Sequence, residues 1–270
     1  MNGSSKTILL TGASSGIGKA TARLCAQKGH QIWATARDAS RVPDIDRIHP
    51  LSMDLDDPSS ITSAIEQARK ESSGIDVLIN NAGNGIFGPI LGFQPDDLAR
   101  QLNTLVIGPL EVIRQTMPEL RKRRGQVITI SSMGAQFPIP YLGPYSAGKA
   151  ALSLLTEGLS VECKGSGVAF ADLRPGDIRT DFNKGMQRLQ LSPDIWNPGD
   201  LERGWQALER EIAAGPPPQC VARKICRMIE TRATGRHTVG NWFQACLAPT
   251  VDRLLPRSLI LTVLQKIYRL

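Results

Sequence analysis

Between residues 7 and 175, short apolar runs alternate with longer amphipathic stretches, and this rhythm restricts the fold more than any other feature of the chain. Residues 7–11, 31–36, 51–53, 76–80, 126–131 and 168–173 read as buried strands; residues 17–28, 59–72, 95–123 and 147–164 read as helices. Strand runs without a polar alternation need cover on both faces. Helices placed between them supply it, so the pattern predicts an α/β fold with a doubly wound parallel sheet, Rossmann-like. A length of 270 residues is enough for one domain of this kind with a well-buried core.

Beyond Pro175-Gly176 the pattern loosens. Residues 181–218 carry Gly, Pro and isolated large apolar residues (Met186, Leu189, Leu191, Ile195, Trp196, Trp205) before a helix near 219–232 and a strand near 237–240. An irregular insertion of this length suits a mobile lid over a ligand, or a fixed loop packed on a second subunit. The expected organisation is a single domain over 1–245, with 181–218 as lid, followed by a C-terminal helical extension over 246–270.

The chemistry is concentrated at three places. Gly12-Ala13-Ser14-Ser15-Gly16-Ile17-Gly18 joins the first strand to the first helix. Its glycines allow a tight turn and a close backbone approach, and the helix N-terminus favours a pyrophosphate there. The second strand ends Ala34-Thr35-Ala36-Arg37, where a site for NAD usually presents an acid to the ribose hydroxyl. Arg37 is instead a planar cation suited to a 2′-phosphate, so NADP (NADPH) is the expected cofactor. Third, Tyr145 and Lys149 lie four apart and share one helix face, with Ser132 at the end of the preceding strand. A nearby ammonium favours the phenolate and makes a tyrosine useful for proton exchange near neutral pH.

Together these residues resemble the short-chain dehydrogenase/reductase family. Thr11 to Gly18 resembles its cofactor loop, Asn80-Asn81-Ala82-Gly83 its fourth-strand signature, Tyr145-Ser146-Ala147-Gly148-Lys149 its catalytic pair, and Arg174-Pro175-Gly176 the turn that follows. Over residues 6–182 the resemblance implies a catalytic set of Asn103, Ser132, Tyr145 and Lys149. Tyr145 would be the general acid in reduction, Lys149 would tune it and bind the nicotinamide ribose, Ser132 would orient the carbonyl, and Asn103 would support a water-linked proton relay. The implied cofactor contacts are Gly12, Ser14, Ser15, Gly16, Ile17, Gly18, Arg37, Asp54, Asn80, Ala82, Gly83, Tyr145, Lys149, Pro175, Gly176, Ile178 and Thr180. Gly148 departs from the family's frequent serine, outside the reacting groups. Ile86, Phe87, Phe137, Ile139, Tyr141, Leu142 and the segment after Phe182 are expected to wall the substrate, which points to a hydrophobic ketone, aldehyde or alcohol. The chain looks similar to the hydroxysteroid- and retinol-dehydrogenase-like branch. The competing reading from another class is an NADP-sensing binding protein without turnover.

A net charge of +7 raises the question of nucleic acid. The run Arg121-Lys122-Arg123-Arg124 ends a helical stretch, where cations complement the helix dipole, and no recognition module accompanies it; no nucleic-acid partner is expected. Five cysteines without CxxC spacing and three scattered histidines predict reduced thiols and no metal site. The amino-terminal residues lack a signal-peptide pattern, which suggests a cytoplasmic protein. The tail from Arg257 sets Ser258, Thr262, Gln265, Lys266 and Arg269 on one helical stripe among Leu and Ile. Such a face calls for its own domain, a sister subunit in a homo-oligomer, or a peripheral membrane contact helped by Arg253, Arg257, Lys266 and Arg269.

Overall fold

A computed structural model describes residues 5–192, 196–247 and 254–268. Ile195, Arg253 and Arg269, singled out above, lie outside the described residues. Seven parallel strands form the central sheet: β1 (Thr7–Leu10), β2 (Gln31–Ala36), β3 (Ile48–Ser52), β4 (Val77–Asn80), β6 (Gln126–Ile130), β7 (Ala169–Pro175) and β9 (Gly235–Val239), in the order β3-β2-β1-β4-β6-β7-β9. A separate parallel pair joins β5 (Ile86–Phe87) to β8 (Gln187–Arg188). The chain winds outward from β1 to β3, then returns to β4 on the other side of β1. This reversal opens a crevice at the carboxyl ends of β1 and β4, the place where ligands sit in open α/β sheets.

Period-two alternation splits the strand residues between two faces. Ile8, Leu10, Ile32, Ala34, Ile79 and Ile128 point to the face covered by α1 (Gly16–Gln27) and α7 (Gln219–Thr231), whose Ala22, Val221 and Ile225 are fully buried. There the otherwise scattered cysteines bring one pair together, with Cys25 Sγ 3.3 Å from Cys226 Sγ. Leu9, Trp33, Leu78, Val127 and Phe170 point to the opposite face, covered by α2 (Pro58–Glu71) and α4 (Gly108–Arg123) through Ile61, Ile65, Val112 and Leu120. Pro50 lies in the edge strand β3, where a missing N–H breaks no ladder on the solvent side.

Two expectations need correction. The helix read over 95–123 is broken into α3 (Pro95–Leu102), a π turn (Asn103–Ile107) and α4. Pro109 cannot donate to a carbonyl four residues back, and its ring would crowd that carbonyl. The backbone widens instead, and Gly108 N–H reaches the Asn103 carbonyl five residues back. Secondly, residues 181–218 are not an irregular insertion. They contain β8 and a 17-residue helix, α6 (Pro198–Ala214). Asn197 caps α6 by accepting from Gly199 N–H at 2.8 Å, and Pro198 suits the first turn because no donor is needed there. Leu201, Trp205, Leu208 and Ile212 then recur at spacings of four, three and four on one face. That face packs on Phe87, Leu105, Tyr141 and Leu142, a core of its own beside the crevice.

The basic run does end α4, with Arg124 in the left-handed region at φ 50° and Arg123 paired to Asp76 at 3.0 Å. The C-terminal helix α8 (Arg257–Tyr268) packs on α6, burying Ile260 and Tyr268, while Arg257 donates to the Gln136 carbonyl at 3.1 Å. Its Leu259, Leu261, Val263 and Ile267 remain exposed. Among the described residues no helix is long and apolar enough to cross a membrane.

Candidate active site

One long cleft runs over the carboxyl ends of the sheet strands, from Arg37 and Asp54 at one end to Phe182 and Leu208 at the other. The turn after β1 forms its floor. Gly12 has φ 71°, and a methyl group there would stand 2.7 Å from Ala82 Cα; one on Gly18 would stand 2.0 Å from the Gly12 carbonyl oxygen. Both positions exclude a side chain. Thr11 and Asn81 stitch the turn to β4: Thr11 Oγ1 accepts from Asn81 and Ala82 N–H at 3.0 Å, and Asn81 Nδ2 donates to the Thr11 and Gly12 carbonyls at 2.9 and 3.0 Å. The first turn of α1 has no side-chain cap and no acid. Its N–H groups therefore face the cleft with their positive end free for an anion, and the residues present fit a pyrophosphate.

At the outer end, Arg37 and Arg41 line the cleft beside Ala36. Asp38, the next residue along the chain, does not line the cleft: its carboxylate accepts from Ser40 N–H at 3.0 Å and from Ser40 Oγ at 2.7 Å. Arg41 escaped the sequence reading because it lies on a short helical turn (Ala39–Arg41) that the strand pattern does not announce.

At the inner end Ser132, Tyr145 and Lys149 come together. Ser132 lies two residues beyond β6 and caps a short helical turn (Met133–Ala135), its Oγ accepting from Gly134 N–H at 2.9 Å. Tyr145 and Lys149 project from the first two turns of α5 (Gly143–Glu162), both buried, with Lys149 Nζ donating to the Ile130 carbonyl at 2.8 Å. Burial pushes the Tyr145 hydroxyl up to about 12, and a hydrogen bond with Ser132 opposes that rise. The sequence reading gave this task to Lys149. Its amine is turned towards the β6 backbone instead, 5.9 Å from the tyrosine ring centre, and burial pushes it down to about 8 against the attraction of Asp172. Asp172 anchors a buried network with Ser131, Ser153 and Arg174, the last at 2.9 Å, directly beneath the site.

Gly12, Ser14, Ser15, Gly16, Ile17, Gly18, Arg37, Asp54, Ala82, Gly83, Ser132, Tyr145, Lys149, Pro175, Gly176, Ile178 and Thr180 all line the cleft. Asn80 and Asn103 do not. Asn80 ends β4, buried, with its amide donating to the Pro109 carbonyl at 3.1 Å, and Asn103 opens the π turn between α3 and α4, near the cleft residues Gln101 and Thr104. Of the expected substrate walls, Ile86, Ile139, Leu142 and Phe182 line the cleft, joined by Leu208 and Ile212 of α6. Phe87, Phe137 and Tyr141 do not. Phe87 and Tyr141 lie tilted against each other within the α6 core, ring centres 5.5 Å apart, and Tyr141 adopts φ 61° there. Gln101 was missed; fully buried, it holds the loop after β4 by accepting from Ile86 N–H and donating to the Asn84 carbonyl, both at 2.9 Å.

This site and fold define a short-chain dehydrogenase. The family model described as "short chain dehydrogenase" matches residues 6–190, and the chain belongs to that family. It is similar to 3-ketodihydrosphingosine reductase of Bacteroides thetaiotaomicron, 34% identical over 82% of both chains. It is also similar to 3-amino-tetrahydro-pyrrolizinone reductase of Xenorhabdus hominickii, 37% identical over 65% of this chain and 62% of that one. The crystal structure of a short-chain dehydrogenase from Streptomyces avermitilis superposes with a TM-score of 0.82 at 29% identity, covering 100% of this chain and 99% of that one. Other solved structures of the fold hold NADH, NAD or NADPH. The protein is an oxidoreductase of a fold that binds nicotinamide cofactors; the comparisons do not single out the hydroxysteroid or retinol branch.

Proposed function

We propose that the protein uses NADPH to reduce the carbonyl of a hydrophobic ketone or aldehyde. The observation that carries this reading is the convergence of Ser132, Tyr145 and Lys149 on one cleft whose floor leaves α1's N-terminal donors free. When bound, the cofactor supplies a hydride to the carbonyl carbon. Ser132, already hydrogen-bonded to Tyr145, would hold the carbonyl oxygen. Tyr145 would give that oxygen its proton; burial keeps the hydroxyl protonated in the free protein, and a cation brought close to it would lower its pKa towards the working range. Lys149 would hold the nicotinamide ribose and return the proton to Tyr145, with Asn103 supporting the relay through water. Gly12 to Gly18 and the first turn of α1 would hold the pyrophosphate, Asp54 and Ala82 the adenosine side, and Ile178 and Thr180 the carboxamide. Asn80 would act from behind by fixing β4 to α4.

The preference for NADP rests on Arg37 and Arg41, two cations that line the cleft end beside Ala36, where a site for NAD usually presents an acid. The apolar lining of Ile139, Leu142, Phe182, Leu208 and Ile212 supports a hydrophobic substrate. Two of the relatives named above are reductases by name, and the one from Bacteroides thetaiotaomicron is named for a keto compound. We assign the lid role to the segment from Asp181 to the end of α6, whose inner face excludes water from the reacting groups. Oxidation of NADPH and NADH, followed against a panel of long-chain ketones, aldehydes, steroids and quinones, tests the reading. Turnover of an apolar carbonyl with preference for NADPH is expected; tight NADPH binding without turnover of any carbonyl would favour the cofactor-sensing alternative.

A further inference from the structure

We propose that the C-terminal part of the chain, residues 242–247 and 254–268, is a docking surface for anionic lipid, which seats the protein on a bilayer beside the substrate end of the cleft. The proposal goes beyond the carbonyl-reduction reading and does not depend on it. Among the described residues eighteen large apolar side chains are exposed, and nine of them fall between Trp242 and Ile267, about a tenth of the chain. Single exposed apolar side chains are ordinary on a protein surface, whereas a concentration of them marks a contact. Trp242 is 72% exposed and Leu254 77%. On α8, Ile260 and Tyr268 are buried where the helix packs on α6, and Leu259, Val263 and Ile267 recur every four residues on another flank that stays uncovered. The domain therefore covers one face of α8 and leaves a second apolar stripe free.

Both parts of this surface lie at the same end of the sheet. Gln244, in the π turn (Phe243–Leu247) that follows Trp242, accepts from Asp177 N–H at 3.0 Å, just past the carboxyl end of β7. Arg257, at the start of α8, donates to the Gln136 carbonyl at 3.1 Å in the loop after the neighbouring strand β6, and the Gln136 side chain accepts from Arg174 of β7 at 3.3 Å. Helix α6, on which α8 rests, gives Leu208 and Ile212 to the cleft. The apolar surface thus borders the end of the cleft where an apolar substrate would enter.

Charge says what covers it. Residues 241–270 hold Arg253, Arg257, Lys266 and Arg269 against one acid, Asp252, and so carry +3 of the chain's net +7. Lys266 is exposed one turn from Val263, and it has no ion pair among the described residues. A second copy docked here about a two-fold axis would set these cations against themselves with too few acids to answer them. An anionic bilayer accepts both features. The apolar stripe enters the boundary between headgroups and acyl chains, the cations meet lipid phosphates, and an exposed tryptophan suits the headgroup level. The 12 residues of α8 lie along the surface, since among the described residues no helix is long and apolar enough to cross a membrane.

The test is co-sedimentation of the intact protein with vesicles of phosphatidylcholine alone and of phosphatidylcholine with an equal part of phosphatidylglycerol. Binding to the mixed vesicles should be tighter by about tenfold or more and should weaken as salt is raised. It should fall by a similar factor in Leu259→Glu/Val263→Glu and by a smaller one in Lys266→Glu. Trp242→Ser provides a separate variant should the double one not fold, with NADPH affinity as the check of folding in each. Light scattering without lipid reports the oligomeric state. No vesicle binding, equal binding to both vesicles, or binding unchanged in the variants would overturn the proposal. A dimer that Leu259→Glu/Val263→Glu breaks, in a protein that ignores vesicles, would assign the surface to a second copy and overturn it as well. No arm uses turnover, so a failure of the carbonyl-reduction reading leaves this test intact.

Discussion

The two ends of the cleft are built on different principles. The cofactor end is backbone and short polar side chains: glycines that exclude a methyl group, Thr11 and Gly12 joined to Asn81 and Ala82 by four hydrogen bonds of 2.9–3.0 Å, and a helix end left free of caps. The substrate end is walled by apolar side chains drawn from separate elements, with Ile139 and Leu142 before α5, Phe182 after β7, and Leu208 and Ile212 on α6. Hydrogen bonds and glycine turns demand one geometry, so the first end tolerates little change. Apolar packing tolerates exchange of side chains of similar volume, so the second end is free to fit different substrates on the same frame.

That contrast predicts graded responses to substitution. The largest effect belongs to the junction of the two ends. Tyr145→Phe removes the acid and should lower turnover by about 10²–10⁴, the usual worth of a positioned general acid, while NADPH affinity measured by fluorescence changes less than threefold. Next is Gly18→Ala. Its methyl group would stand 2.0 Å from the Gly12 carbonyl oxygen, so the turn must open, and NADPH affinity should fall by about a hundredfold or more while affinity of the loaded protein for substrate persists. Arg37→Ala should weaken NADPH about tenfold, the scale of one charge-assisted contact, and leave NADH almost unchanged. An equal loss for both cofactors would mean that Arg37 does not read the 2′-phosphate.

The smallest kinetic effect is expected at the apolar end. Leu208→Ala should raise KM several-fold with kcat and NADPH affinity nearly intact, and chemical denaturation should show a loss of about 2–5 kcal/mol, since Leu208 is 3% exposed in the α6 core. A collapse of cofactor binding in this variant would break the division between the two ends.

The same contrast explains what was legible in the sequence. Continuous apolar runs and the Gly12–Gly18 turn are local signals, and each specifies its own geometry, so the sheet and the cofactor floor could be read without neighbours. Ser132, Tyr145 and Lys149 were legible because a strand end and a helix turn set their placement. The break at Asn103 was missed, although Gly108-Pro109 announces it, because amphipathic period continues across a π turn with little change of face. Helix α6 was missed because Pro198, Gly199 and Gly204 read as breakers, whereas Pro198 and Gly199 lie in its first turn and Gly204 admits the Tyr141 ring against the helix. Phe87 and Tyr141 could not be told from substrate walls, since an apolar residue near a cleft packs inward or outward according to partners far along the chain.

Hydride transfer to a carbonyl held at Tyr145 leaves an isotopic trace in the product alcohol. The protein is mixed with NADPH carrying deuterium at the transferable position of the nicotinamide and with an apolar ketone that it turns over, and the alcohol is analysed by mass spectrometry. One deuterium on the carbinol carbon is expected with the wild-type protein, and a loss of at least a hundredfold in its rate of appearance with Tyr145→Phe. Deuterium transfer at the same rate in both proteins, or none to this or any other carbonyl despite saturating NADPH, would contradict the account.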